Sequence, residues 1–487
     1  MANTGTNPGG RGTPAWELLA GVATAAPRRR GRELQAGLRD AVRSGRLAGG
    51  TRLPASRELA ADLGVSRGLV TRAYEQLTAE GYLRSGRGAG TWVCEIARPA
   101  GAPAGDGDGR GGEPVADFRP GTPDLALFPR AAWAAAHRRA LAALPHRGLG
   151  YPDPRGLPEL RRALAALLAR RRGVVVDADR LLVCSGVAQA LTLLGVVLRG
   201  RGPVAVEAPG SPPHEELFTA AGTGTVRVPV DGSGLVLREL AASGARAAVV
   251  TPAHQFPTGI VYPPARRREL LAWARELDGL LVEDDYDGEF RFDRAPVGAL
   301  QGLDPERVAY TGSVSKSLAP GLRLGWLVVP ERLLGEVVER KRLMDLGHPV
   351  LDQALFADFV ASGEYDRQLR RCQRAYRERR DALVAALAEW CPGAAVTGIA
   401  AGLHAIVTLP ERFGPQERFL ARAAAAGVAL RPLTDFGGTA PADGRVRLVL
   451  GYAHLGPGAI RRAMRLLSRA AGESSGAPRV TKGAFPA

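Results

Sequence analysis

The segment YTGSVSKSLAPGLRLGW, Tyr310–Trp326, runs from an apolar strand into small hydroxyl residues, then Lys316 and Arg323. Of the 65 Lys+Arg in the chain, only Lys316, Lys341 and Lys482 are lysine. Arginine serves almost everywhere a cation is needed. A guanidinium cannot form an imine, because it stays protonated and its nitrogens are delocalised. A lysine kept among Ser313, Ser315 and Ser317 is what a Schiff base requires. The bland alternative is a surface lysine left by chance. Lys341, inside ERKRL, reads that way, and Lys482 sits in the tail.

On either side of this segment the chain alternates short apolar runs with amphipathic helices. Val204–Glu207, Ala247–Thr251, Leu280–Glu283 and Val308–Thr311 are the runs; stretches 157–172 and 265–277 are helical. That alternation predicts a mostly parallel sheet covered by helices. The run LLVEDDYDGEF ends in Glu283, Asp284, Asp285 and Asp287. A carboxylate at a pyridine nitrogen keeps that nitrogen protonated and the ring an electron sink, as pyridoxal 5′-phosphate needs. Asp284 is the expected one, with Tyr286 near the ring oxygen, although any one of these acids also reads as part of a solvated loop. VCSGVAQALTLL places Gly186, Val187, Ala188 and Gln189 at a helix N-terminus, whose free N–H groups hold phosphate. Arg323 and the Ser313 and Ser315 hydroxyls are expected to complete that contact.

Residues 32–46 place Leu34, Leu38, Ala41 and Val42 on one helical face. Next comes LPASRELAADLGVSRGLVTRAYEQLTAEGYLRSGRGAGTWV, residues 53–93. Leu59, Ala60 and Leu63 stripe a short helix that stops at Gly64. Ser66 is the N-cap candidate of a second helix burying Val70, Ala73, Tyr74 and Leu77. Two helices about a tight turn make a helix-turn-helix. Arg67, Gly68, Thr71 and Arg72 lie off the apolar stripe at the end that enters a major groove. Arg57, on the preceding helix, is placed for phosphate or base. GYLRSGRGAGTWV reads as two strands around a Gly-rich turn, a wing whose Gly88 permits close approach to a sugar-phosphate backbone. The plainer reading is a three-helix bundle with exposed arginines.

Composition sets the bounds. With 487 residues and 45% hydrophobic content, two or three domains are expected. No apolar run reaches the ~18 residues that span a bilayer, and the N-terminus lacks a signal-like apolar block. Cys94, Cys184, Cys372 and Cys391 are far apart without a CxxC, so no disulfide framework, zinc cluster or other metal site is expected, and a reducing cytoplasm fits. The net charge of +16 allows a polyanion partner; residues 1–100 hold 15 Arg against 8 acids. Residues 95–114 are Gly, Pro, Ala and Asp with almost nothing to bury, a flexible linker by composition. The expected domains are 15–94 (winged helix), 115–472 (large domain) and a disordered tail, 473–487. No internal repeat is visible.

Residues 32–93 resemble the winged-helix DNA-binding domain of the GntR regulators, which carries DNA contacts onto Arg57, Ser66, Arg67, Thr71 and the wing around Gly88. Residues 115–472 resemble the fold-type I aminotransferases. The order and spacing of DFRPGTPDLALFPRAAW, GLGYPDPRGLPELRRAL, TPAHQFPTGIVYP, VEDDYDGEF and SVSKSLAPGLRLGWLVVP are similar to the MocR group, in which the two are fused. The resemblance implies a winged helix-turn-helix joined to an α/β pyridoxal-phosphate-dependent transferase fold with a small C-terminal α+β subdomain. It implies Lys316 as internal aldimine, Asp284 at the pyridine nitrogen, Tyr286 at the 3′ oxygen, Arg323 on the phosphate, and a head-to-tail homodimer. The chain departs from the pattern in three places. Ser211 stands where a ring usually packs on the cofactor, with His214 as a substitute. Phe256 replaces the asparagine of Asn-Pro-Thr-Gly, leaving His254 or Gln255 to compensate. Val449 replaces the arginine that clamps a substrate carboxylate; Arg447, two residues earlier, reads rather as a surface arginine. The expected function is a transcription regulator sensing pyridoxal 5′-phosphate on operator half-sites of double-stranded DNA. The alternatives are a regulator whose cofactor captures an amino acid or amine effector, and an active aminotransferase.

Overall fold

The computed structural model describes residues 22, 25–86, 90–95, 114–292, 297–439 and 443–470. Of the expected linker only residues 95 and 114 fall among these; the tail 473–487, Lys482 and Gly88 lie outside the described residues. The chain divides into two units, Met1–Gly112 and Glu113–Ala487.

In the first unit, helix α1 (Arg30–Arg43) buries Leu34, Leu38, Ala41 and Val42. Helix α2 (Ser56–Asp62) buries Leu59 and Ala60. Gly64, at φ +62, makes the turn into helix α3 (Arg67–Ala79). The Ser66 hydroxyl caps α3, accepting from the Leu69 N–H at 3.3 Å. Val70, Ala73, Tyr74 and Leu77 close one core with the faces of α1 and α2, and the buried Tyr74 hydroxyl donates to the Pro54 carbonyl at 3.1 Å. The two strands of the wing pattern pair as a hairpin, and a short strand that precedes α2 joins them. Strand β1 (Arg52–Leu53) pairs with β3 (Gly90–Val93), which also pairs with β2 (Leu83–Gly86). Two residues are too few for a period-2 pattern, so β1 left no trace in the sequence.

The second unit opens with strand β4 (Ala116–Asp117). Its main sheet contains β5 (Leu181–Cys184), β6 (Val204–Ala208), β7 (Thr225–Asp231), β8 (Gly234–Leu235), β9 (Ala247–Val250), β10 (Leu280–Asp284), β11 (Val308–Ser313) and β12 (Gly325–Val328). Among the described residues the order is β5-β12-β11-β10-β9-β6-β7-β8. The central run β11-β10-β9-β6-β7 is parallel; β12 is antiparallel to both neighbours. Strands β5 and β9, and β10 as far as Val282, read as unbroken apolar runs because both faces are covered. In β5, Leu181 and Val183 pack with Leu164 and Phe356, while Leu182 and Cys184 pack with Leu191 and Val337.

A smaller layer holds β13 (Ala395–Thr397), β14 (His404–Thr408) and β16 (Arg447–Gly451), all antiparallel. Strand β15 (Val428–Ala429) pairs with β4, so the start of this unit is tied to its C-terminal part. Leu383 and Leu387 of the helix Glu364–Trp390 share a core with Ile460 and Met464.

The site is positioned by one row across the main sheet. Ser313 pairs with Gly325, and Gly325 with Cys184. Asp284, Ser313 and the Ser185–Gly186 turn thus lie at the same edge, outside the carboxyl ends of the parallel strands, where open α/β sheets bind ligands. Gly325 allows the turn to approach: a Cβ there would lie 2.8 Å from the Gly186 Cα.

Candidate cofactor site and nucleic-acid interface

A cavity of about 540 Å³ opens at this edge. Lys316, Asp284, Tyr286, Arg323, Ser313, Ser315, Val187 and Ala188 all line it. Lys316 follows β11 in a short 3-10 turn, Val314–Lys316, and its Nζ donates to the Gly121 carbonyl at 2.5 Å. Burial lowers the ammonium below the ordinary lysine range, against the opposing pull of Asp284 and Asp287. A larger neutral fraction is what a nucleophilic amine needs.

The four acids at the end of β10 separate by their partners. Glu283 is buried, accepts from the Leu300 and Gln301 N–H groups at 2.9 Å, and is pushed up to about 7 by burial. Asp285 is bound by Arg172 at 2.6 Å and by the Tyr310 hydroxyl at 2.6 Å. Asp287 faces the His254 Nδ1 at 2.9 Å. Of the four, Asp284 is the one on the cavity wall. His214 Nε2 lies 2.9 Å from its Oδ2, and the Thr311 hydroxyl donates to its Oδ1 at 3.4 Å. Glu283, Asp284 and Asp287 are buried and the Asp285 side chain is 3% exposed, so these acids are not a solvated loop. Burial, with Asp287 and Asp284 adding to it, holds the Tyr286 phenol well above its usual range, so it stays a donor.

At the other end of the cavity, helix Val187–Leu198 starts at Gly186, φ +82, with no side chain capping it. Arg323 donates to the Ser185 carbonyl across this turn. A Cβ on Gly186 would lie 3.2 Å from the Arg323 guanidinium, so glycine gives the room. Free helix amides, a guanidinium and two hydroxyls form an anion cradle. An amine, a buried carboxylate, a phenol and this cradle match the functional groups of pyridoxal phosphate.

Two predicted residues sit elsewhere. Gln189 is off the cavity wall: its amide accepts from the Ser185 N–H at 2.8 Å and donates to Asp345 at 2.7 Å. His254 is buried behind Tyr286, 3.0 Å from its hydroxyl. Lys341 is no surface lysine. It is fully buried and paired with Asp345 at 2.6 Å, because a four-residue helical step brings the two together. Sequence reasoning missed Arg119 and Arg431 on the cavity wall. Arg431 precedes the segment that pairs with β16, and its carbonyl accepts the Val449 N–H at 2.9 Å. No local motif marks a side chain that reaches the site from a neighbouring segment. Arg447 does not line the cavity. Donor atoms of His254, Asp287 and His404 lie within 4.8 Å of one another.

In the first unit, Arg57, Arg67 and Arg72 are exposed. None has an ion pair to a described residue, whereas Arg39 is bound to Glu80 at 2.8 Å. The Thr71 hydroxyl donates back to the Arg67 carbonyl at 3.0 Å.

Residues 31–93 match the family of bacterial regulatory proteins, gntR family, and residues 115–465 match aminotransferase class I and II. The HTH-type pyridoxine biosynthesis transcriptional regulator PdxR of Corynebacterium glutamicum is 34% identical over 83% of this chain and 88% of its own. The probable rhizopine catabolism regulatory protein MocR of Rhizobium meliloti is 35% identical over 92% and 95%. The chain belongs to the MocR-type regulators of the GntR family. The MocR-type large unit has the fold-type I aminotransferase architecture. It is similar to Pyrococcus horikoshii kynurenine aminotransferase in complex with PMP, with TM-score 0.66 and 27% identity, over 74% of this chain and 91% of that one. As a MocR-type protein the chain is a DNA-binding transcription regulator. Among its described residues no helix is long and apolar enough to cross a membrane.

Proposed function

We propose that this MocR-type regulator binds pyridoxal 5′-phosphate at Lys316 and reports its presence to the winged helix. One observation carries the reading: Lys316, Asp284, Tyr286 and the Arg323 cradle share one cavity. When bound, pyridoxal phosphate supplies an aldehyde that a neutral amine attacks. Lys316 provides the amine, lowered by burial. Asp284, braced by His214, keeps the pyridine nitrogen protonated. Tyr286 donates to the ring oxygen. Ser313, Ser315, Arg323 and the amides of Val187 and Ala188 hold the phosphate, with Gln189 bracing the turn. On DNA, Arg57, Ser66, Arg67, Thr71, Arg72 and the Gly88 wing make the contacts. A head-to-tail homodimer in the cytoplasm belongs to this reading. Exposed Leu149 and Tyr151, together with Leu343, Met344 and Leu346, support an interface between copies. Binding that changes the relation of two winged helices changes their fit to half-sites.

The test is an absorbance spectrum of the full chain with added pyridoxal phosphate. A visible band that borohydride abolishes, with the reduced adduct mapped by mass to the Lys316 peptide, supports the reading. Absence of a band, or the adduct on Lys341, defeats it. Arg119 and Arg431 favour a second reading, in which the bound cofactor captures an effector carrying a carboxylate. Spectral change on adding amino acids separates the two, and formation of a keto acid would indicate an aminotransferase.

A further inference from the structure

Ser185 follows β5 and opens the turn into the helix Val187–Leu198, the turn that forms the anion cradle with Arg323. Every polar group of Ser185 is engaged. Its N–H donates to Gln189 Oε1 at 2.8 Å, its carbonyl accepts from Arg323, and its hydroxyl lies 3.3 Å from His348 Nδ1. A backbone N–H only donates, so the Gln189 amide oxygen faces it and the amide nitrogen faces away. That nitrogen donates to Asp345 Oδ2 at 2.7 Å. A carboxylate accepts only, so Asp345 holds the Gln189 amide in the one orientation that serves Ser185.

Asp345 is itself held from two sides. Its Oδ1 accepts from the Gly347 N–H at 2.8 Å, and its Oδ2 accepts from the Lys341 ammonium at 2.6 Å. Burial works against the Asp345 charge, but the bonds from Lys341, Gln189 and Gly347 outweigh it and keep the carboxyl below its ordinary range. Lys341 and Lys316 are the two lysines among the described residues, and the Lys341 side chain is 0% exposed. A guanidinium in that enclosed place brings five N–H donors to satisfy, an ammonium three. The helix Glu331–Asp345 that carries the pair is fixed against the helix that follows the turn: Leu333 and Val337 share a core with Leu191 and Leu194. A buried ion pair adds little stability by itself, so the reason for this one lies in what it holds.

We infer that Lys341 and Asp345 are positioning residues for the cofactor phosphate, which act through Gln189 to keep the Ser185–Gly186 turn in its anion-binding shape. The inference rests on the cofactor reading above and goes further, because it ties phosphate recognition to a buried charge pair that does not line the cavity.

The test compares pyridoxal 5′-phosphate with pyridoxal, which has the same ring and aldehyde and lacks the phosphate. Each is titrated into the full chain by visible absorbance, and the readout is the preference, the ratio of the two affinities. Gln189→Leu is expected to weaken pyridoxal phosphate about tenfold and to leave pyridoxal unchanged, the effect of about one buried hydrogen bond. Lys341→Met combined with Asp345→Leu removes both charges at once, so no unpaired charge is left behind, and is expected to lower the preference comparably. Adding Gln189→Leu to that pair is expected to lower it no further, because the three act as one unit. An unmoved preference in the pair variant, equal weakening of both compounds, or losses that multiply overturns the inference. If the pair variant does not fold, Asp345→Asn keeps the shape without the charge; a lowered preference is expected there, and an unmoved one overturns the inference. If the unaltered chain forms no band, the cofactor reading itself fails and this inference falls with it; a band with an unmoved preference removes only the inference.

Discussion

At the scale of single residues, Lys316 was legible because arginine bias made a retained lysine conspicuous. Its replacement, Lys316→Ala, is expected to abolish the visible band while leaving DNA binding measurable in a gel shift. Because burial lowers the ammonium, the neutral amine dominates at a lower pH than for a free lysine. The rate of cofactor uptake is therefore expected to rise with pH and level off below the usual lysine value of 10.5, read by stopped-flow absorbance. The acids of β10 were legible only as a set. Asp284 ends β10 and Asp285 follows it, its N–H still bonded to the Thr311 carbonyl at 3.0 Å, so the alternation of the strand carries on to it. Asp284 faces the cavity, while Asp285 is locked in a pair with Arg172 whose side chains are 2% and 3% exposed. Asp285→Ala leaves the Arg172 charge buried and unpaired, so it should cost about 3–5 kcal/mol of stability by denaturant titration. Asp284→Ala should alter the cofactor spectrum with a smaller stability loss.

At the scale of elements, the helix ends carry the function. The Ser66 cap satisfies one of the free amides of α3, so Ser66→Ala should lower the stability of the first unit by about 1 kcal/mol, seen in its melting curve. The exposed Arg67 and Arg72 have no ion pair to a described residue and so remain free for a polyanion. Losing a phosphate contact should reduce the slope of log affinity against log salt by about one, whereas losing a base contact should cost about 1–3 kcal/mol and relax sequence preference. Arg67→Ala, measured across a salt series, distinguishes them. The apolar stripes of α1 and α3 were readable from period alone, since a half-exposed helix writes its buried face into the sequence. The helix Glu331–Asp345 was not. Its ERKRL looked like surface, yet Lys341 is turned inward and neutralised by Asp345, which also takes the Gln189 amide that braces the anion-binding turn.

At the scale of the whole molecule, stability should depend on pH through buried histidines. Burial depresses His348 and His404 to about 4 from an ordinary 6.5. The unfolded chain then takes up protons first, so stability is lost as pH falls from 6.5 towards 4, by about 3 kcal/mol for one such group titrating alone. Glu283, raised to about 7, acts in the opposite sense and weakens the fold as pH rises from 4.5 through 7. The midpoint of denaturant unfolding in His348→Gln should therefore fall less between pH 7 and pH 5 than in the unaltered chain; an equal fall would contradict the assignment. The sequence by itself determined the two-part architecture, the alternation that builds the sheet and the lysine at its edge. Those features are written locally, in hydrophobic period and residue chemistry. Only the tertiary structure decided which carboxylate meets the cavity, that His254 stands behind Tyr286, and that Arg119 and Arg431 reach the same space. Such pairings join residues tens to hundreds of positions apart, through strand order and register, and no local pattern encodes them.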